Sequence, residues 1–221
     1  MLVGVLASTA AACASFGEGL RDRTAATYAG RPPTIEFACE RPFFSSEKPS
    51  PARGASASPI TVEADPDPDT VKVGELVAPM YNFPILVSGP RPNAVLSRDV
   101  ETRLRCRGLT ADGEAPTASL TLHVGITMLG TEWVPGHWYD LTRILRGHVV
   151  FRAVLRRDAE TLWSGVFEAQ DEGRYGYDLA SNHEKLLSEA YCRCLEQFDQ
   201  ALDGPEFERA VRSAAAVGPG S

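Results

Sequence analysis

Strict alternation of apolar and polar residues constrains this chain more than any other feature. Over Ser119–Leu129, Leu120, Leu122, Val124, Ile126 and Met128 alternate with Ser119, Thr121, His123, Gly125 and Thr127. A period of two over that length is a half-buried strand, because a helix places residues i and i+2 on different faces. Two further runs behave alike. In Ile144–Leu155, Leu145, Val149, Phe151, Ala153 and Leu155 share one face, and Arg146, His148, Arg152 and Arg156 share the other with Val150 and Val154. In Thr161–Ala169, Trp163, Phe167 and Ala169 oppose Ser164 and Glu168. The charged segment Arg156–Glu160 joins these two runs as a hairpin. Three consecutive strands with one apolar face predict an antiparallel meander.

Helical periodicity flanks the meander. Leu96, Val100 and Leu104 form a stripe ending near Arg107, with Gly108 placed to close the helix. Leu187, Ala190, Tyr191, Cys194, Leu195, Phe198 and Leu202 form a longer one. Ser181-x-x-Glu184 reads as its capping box, and Gly204-Pro205 as its stop. Val71, Val73 and Leu76-Val77 make a short first strand, and Ala78–Pro92 reads as a loop. The order β-α-β-β-β-α, with one apolar stripe per helix, predicts an α+β two-layer sandwich: a mainly antiparallel sheet with two helices on one face.

The segments outside this domain differ in kind. Met1–Ala12 is apolar, rich in small residues and uncharged. At about 1.5 Å per residue it is too short for a bilayer core of roughly 30 Å, and it suits a signal peptide. Ala10-Ala11-Ala12-Cys13 resembles the lipobox of bacterial lipoproteins, which implies lipidation of Cys13; cleavage among the alanines is the alternative. Ala14 resembles the residue that sorts such proteins to the outer membrane. Residues 14–69 carry many prolines among Ala, Ser and Gly, which predicts a tether. Within it, Thr34–Cys39 with Phe43-Phe44 is an apolar island able to dock. The domains expected are therefore 1–13 signal and lipobox, 14–69 tether, 70–212 folded domain and 213–221 tail.

Chemistry is sparse. No nucleophile elbow, His-Glu-x-x-His, Walker A or dinucleotide-binding glycine motif occurs, so the chain reads as non-enzymatic, with no cofactor. A net charge of −7 argues against a nucleic-acid partner. His123 and His148 fall diagonally on the exposed face if Leu129 lies near Ile144; without a third ligand they read as a solvated pair, not a metal site. Lipidation of Cys13 leaves Cys39, Cys106, Cys192 and Cys194. Cys192 and Cys194 lie about 200° apart on a helix and cannot pair with each other; one bridge among the others and free buried thiols both stay open.

The loops hold the aromatic residues. Gly130–Arg143 carries Trp133, His137, Trp138 and Tyr139, and Gln170–Ala180 carries Tyr175 and Tyr177. In a meander these loops lie at one end, so the six residues form a candidate partner-binding end. Satellite core is the other reading for the tryptophans.

The leader, the tether and the order of elements together resemble small envelope lipoproteins of Gram-negative bacteria, such as the lipopolysaccharide-assembly lipoprotein and the auxiliary lipoproteins of ABC-type lipid transporters. Leu162-Trp163, Leu186-Leu187 and Glu189-Ala190 carry the resemblance at residue level. It implies an exported protein, anchored by lipid in the outer membrane and facing the periplasm, or else soluble in the periplasm. It implies an accessory or assembly subunit of an envelope protein complex; the alternative is a lipid or small-molecule binding module using the aromatic end as a pocket.

Overall fold

The computed structural model describes residues 32–39, 59–67, 71–78, 81–110, 120–134, 143–176 and 179–216. In chain order the elements are β1 (Thr34–Glu36), β2 (Ile60–Ala64), β3 (Lys72–Ala78), β4 (Tyr81–Ser88), α1 (Pro92–Cys106), β5 (Leu120–Val134), β6 (Arg143–Arg157), β7 (Glu160–Tyr175), α2 (Ala180–Leu202) and α3 (Pro205–Ala216). They form the expected α+β sandwich. The main sheet has the order β2-β5-β6-β7, with β5, β6 and β7 as the antiparallel meander and β2 added parallel to β5. A smaller sheet, β1-β4-β3, was not foreseen.

The predicted core face holds. Leu122, Val124, Leu145, Val149, Phe151, Ala153 and Leu155 are fully buried, as are Leu96, Val100 and Leu104 of α1 and Leu187, Tyr191, Cys194, Leu195 and Phe198 of α2. Phe151 lies 4.9 Å from Phe167 and 5.9 Å from Phe198, ring centre to ring centre, so it joins both layers. A Cβ on Gly147 would meet the Leu186 carbonyl carbon at 2.8 Å, which marks a point where α2 lies closest to the sheet. α1 closes as its sequence suggests: Gly108 has φ +66°, its N–H donates to the Arg105 carbonyl, and the Leu109 N–H donates to the Leu104 carbonyl.

Several expectations are corrected. The alternation of β5 breaks at a bulge between Ile126 and Met128, so Met128 turns outward, 50% exposed, and Leu129 takes the inner face. The pairing register puts Val134, not Leu129, opposite Ile144, so β5 and β7 run further than expected. His123 therefore faces Val154 and His148 faces Gly130, and the two histidines are far apart along the strands. Each instead meets a carboxylate: His123 Nδ1 lies 3.4 Å from Glu63 and His148 Nε2 lies 2.9 Å from Glu168. The segment read as a loop before α1 contains β4. The Ser181–Glu184 capping box does not form: α2 starts at Ala180 after extended Leu179, with no side-chain cap.

The folded structure also starts well before residue 70. β1 and β2 lie inside the segment read as tether, and the Thr34–Cys39 island docks as part of the smaller sheet. Ile35 and Phe37 are buried, Phe37 lies 4.4 Å from the Tyr191 ring, and Cys39 forms a disulfide with Cys192 of α2. Cys106 is an exposed free thiol. Cys194 is buried, and its thiol donates to the Val149 and Phe167 carbonyls. Among the described residues no helix is long and apolar enough to cross a membrane.

Candidate functional site

The end of the main sheet where β5 finishes and β6 begins is the place the aromatic residues pointed to. Trp133 pairs with Leu145, and Tyr175 pairs with Arg143, so both described aromatics do lie at this end. Cys13, His137, Trp138, Tyr139 and Tyr177 lie outside the described residues. Trp133 and Leu145 share the helix-covered face, because directly paired residues point the same way.

A small polar cluster sits under Trp133. Its indole stands edge-on to the His183 ring, 6.3 Å between centres. His183, in the first turn of α2, is 1% exposed. The Thr131 hydroxyl donates to the Val73 carbonyl, 3.1 Å away, and lies 2.6 Å from His183 Nδ1. With its own proton committed to Val73, the hydroxyl oxygen accepts from Nδ1–H, which fixes the histidine tautomer. This approach depends on Gly74 of β3: a Cβ there would fall 2.2 Å from the Thr131 hydroxyl. The cluster thus ties β3, β5 and α2 together at one point.

Trp133 Nε1 is buried and has no hydrogen-bond partner among the described residues. An unpaired buried N–H costs about 1–3 kcal/mol, so it marks a donor in want of an acceptor. Tyr175 is half-buried; burial, with the Asp171 carboxylate beside it, pushes its phenol above the usual range. Neither residue stands out as a free aromatic finger. His183, Thr131 and Gly74 were not picked out from the sequence, since the contact joins residues more than fifty positions apart.

A second polar cluster lies between α1 and α2. Asp199 receives Arg103 Nε at 3.1 Å and Arg107 Nη1 at 3.0 Å, Arg107 Nε also reaches Asp203 at 3.2 Å, and the Tyr191 hydroxyl donates to Asp99 at 2.9 Å. Burial pushes the Asp199 carboxyl up against the pull of both guanidiniums. Burial together with Asp99 pushes the Tyr191 phenol well up. Every group here has a partner on the facing helix, so the arrangement is a structural ladder rather than a reactive centre. Among the described residues no group of three His, Cys, Asp or Glu side chains is placed to hold a metal ion.

No protein-family model matches the chain, and no curated protein matches it. Several solved structures share a distant likeness. One is a neuraminyllactose-binding hemagglutinin homolog from Helicobacter pylori, 11% identical with a TM-score of 0.49, the match covering 83% of this chain and 100% of that one. Another is a Xanthomonas campestris protein of the family DUF330, 12% identical with a TM-score of 0.41, covering 77% and 96%. A third is a minor lipoprotein from Acinetobacter baumannii, 8% identical with a TM-score of 0.39, covering 71% and 95%.

Proposed function

We propose that this chain is an exported, lipid-anchored envelope protein that acts without catalysis, as an accessory or assembly subunit of a larger complex. The observation that carries the reading is the Cys39–Cys192 disulfide. A structural bridge between segments 153 residues apart belongs to an oxidising compartment, and the apolar leader ending in Ala-Ala-Ala-Cys13 supplies both the route and the anchor. The absence of a catalytic motif from the sequence favours a binding role. The aromatic end, with Trp133 and Tyr175 and the loop carrying Trp138, is the proposed docking surface for the partner complex.

Replacing Cys13 with Ser tests the anchor: the variant is expected in the soluble periplasmic fraction, and its retention in the membrane would overturn the lipidation. Copurification from detergent-solubilised membranes tests the role: a stoichiometric protein partner, lost on Trp138→Ala, is the expected result. A second reading is favoured by Trp133 Nε1 alone. A buried donor with no acceptor among the described residues suits a lipid or small molecule bringing a carbonyl or ester oxygen, and native mass spectrometry showing bound lipid without a protein partner would move the assignment to that module.

A further inference from the structure

Residues 32–39 are held to the domain lightly, except at their last position. Among the described residues their strand β1 pairs only with Leu86–Ser88, at the edge of the smaller sheet. The Pro33 carbonyl accepts from the Leu86 N–H at 3.0 Å, and the Ile35 carbonyl accepts from the Ser88 hydroxyl at 3.1 Å. Pro33, Ile35 and Phe37 are buried, the last against the Tyr191 ring, while Pro32, Thr34 and Glu36 stay exposed. Fixing this backbone costs conformational entropy at every residue, and so short a ladder with so few buried side chains roughly balances that cost. The Cys39–Cys192 bridge decides the outcome. Without it, residues 40–58 are the link from Cys39 to the next strand, β2, and the effective concentration of the segment at its own site falls.

The rest of the fold does not lean on this segment. The meander is held by its own ladders and by the rings of Phe151, Phe167 and Phe198. Asp199 of α2 holds Arg103 and Arg107 of the α1 side.

We propose that residues 32–39 form a redox-released strap: a dithiol reductant opens the Cys39–Cys192 bridge, the strap leaves β4 and α2, and the main sheet stays folded. Cys39 is partly exposed whereas Cys192 is 4% exposed, so the entering thiolate meets the Cys39 sulfur. It forms a mixed disulfide there as the bridge breaks, and Cys192 leaves as a thiolate and takes up a proton. The second thiolate of the reductant attacks the mixed disulfide, closes the reductant's own disulfide and frees Cys39, which is protonated in turn. Two electrons and two protons thus pass from the dithiol to the chain. The consequence rests on the Cys13 anchor proposed above. With the strap fastened, residues 14–31 separate the anchor from the domain and span at most roughly 60 Å; with it released, residues 14–58 do so and span at most roughly 150 Å. One bridge thereby sets how far from the membrane the domain reaches.

The test is hydrogen exchange read by mass spectrometry on the full chain carrying Cys13→Ser and Cys106→Ser, with and without dithiothreitol. In the reductant, the amides of residues 34–37 and the Leu86 amide are expected to exchange roughly a hundredfold faster, while those of β6 from Val149 to Leu155 stay at least about a hundredfold slower than in a free chain. Cys39→Ser with Cys192→Ser should give the same pattern without reductant. Strap amides that stay as slow after reduction, or in that double variant, as in the bridged chain would overturn the proposal. So would β6 amides that reach the free-chain rate together with the strap, because the bridge would then staple the whole fold. An exported chain found without the bridge would overturn it as well. Release is read in the soluble chain and anchoring by the Cys13→Ser fractionation above, so failure of the strap and failure of the anchor are told apart.

Discussion

Replacing Phe151 with Ala while replacing its neighbour Arg152 with Ala in a second variant tests the register of the whole sheet. Phe151 is fully buried and its ring meets Phe167 from the adjoining strand and Phe198 from α2. Truncating such a residue removes its transfer free energy and leaves a cavity, about 3–5 kcal/mol in all. Each aromatic contact adds roughly 0.5–1.5 kcal/mol beyond area alone, which puts this site toward the upper half of that range. For a chain of this length about 4 kcal/mol lowers the melting temperature by roughly 8–16 °C. Arg152 is exposed and makes no ion pair or hydrogen bond among the described residues, so its truncation should stay within about 0.5 kcal/mol. Urea titrations followed by circular dichroism, with the disulfide intact, give both values. Similar losses for the two variants would refute the assignment, because a slip of one residue exchanges the two faces.

Removing the bridge by Cys39→Ser should cost about 3–5 kcal/mol, given the length of chain it closes; unchanged stability in a reducing titration would contradict its formation. Asp199→Ala removes the carboxylate that Arg103 and Arg107 share, leaving backbone carbonyls and Asp203 among their acceptors, and should destabilise by about 3–5 kcal/mol, measurable by thermal melting. The pH profile follows from two raised groups. Burial pushes the Cys194 thiol up to about 12 from an ordinary 9.0, and the Tyr191 phenol is also raised. Both are protonated in the fold over a range where the unfolded chain has ionised, so stability is full below about pH 9 and falls as pH climbs toward 12. Cys194→Ala should flatten the first part of that fall; the same slope in the variant would show that other groups cause it.

The meander and both main helices were legible because each has a face buried against one partner layer, which writes a clean period into the sequence. The misses share a different cause. Met128 continues the alternation perfectly on paper, and only the bulge, whose Ile126 N–H is bonded by Asn93 Oδ1 of α1, turns it outward. Ala78–Pro92 read as a loop, yet β4 forms within it: among the described residues β1 pairs only with Leu86–Ser88, so at Pro84 the strand has a neighbour on one side alone and a missing N–H is tolerated. β2 is five residues between prolines, too short for its pattern to stand out. Of the aromatic end, the shared location of Trp133 and Tyr175 was readable from the meander. The buried Thr131–His183 contact was not, because it depends on how β3 and α2 meet in space. The Cys39–Cys192 pairing was left open for the same reason: spacing excluded one partner without selecting another.

The position of that bridge decides how the molecule carries load. Everything between Cys39 and Cys192, which includes β2 to β7 and α1, lies inside one covalently closed loop. Tension applied from the N-terminal side can strip β1, three residues long, and must then stop at Cys39. From there the force passes through sulfur directly into α2, and the sheet within the loop is bypassed. A chain held from its N-terminal end can thus be tugged repeatedly without its main sheet being drawn out strand by strand.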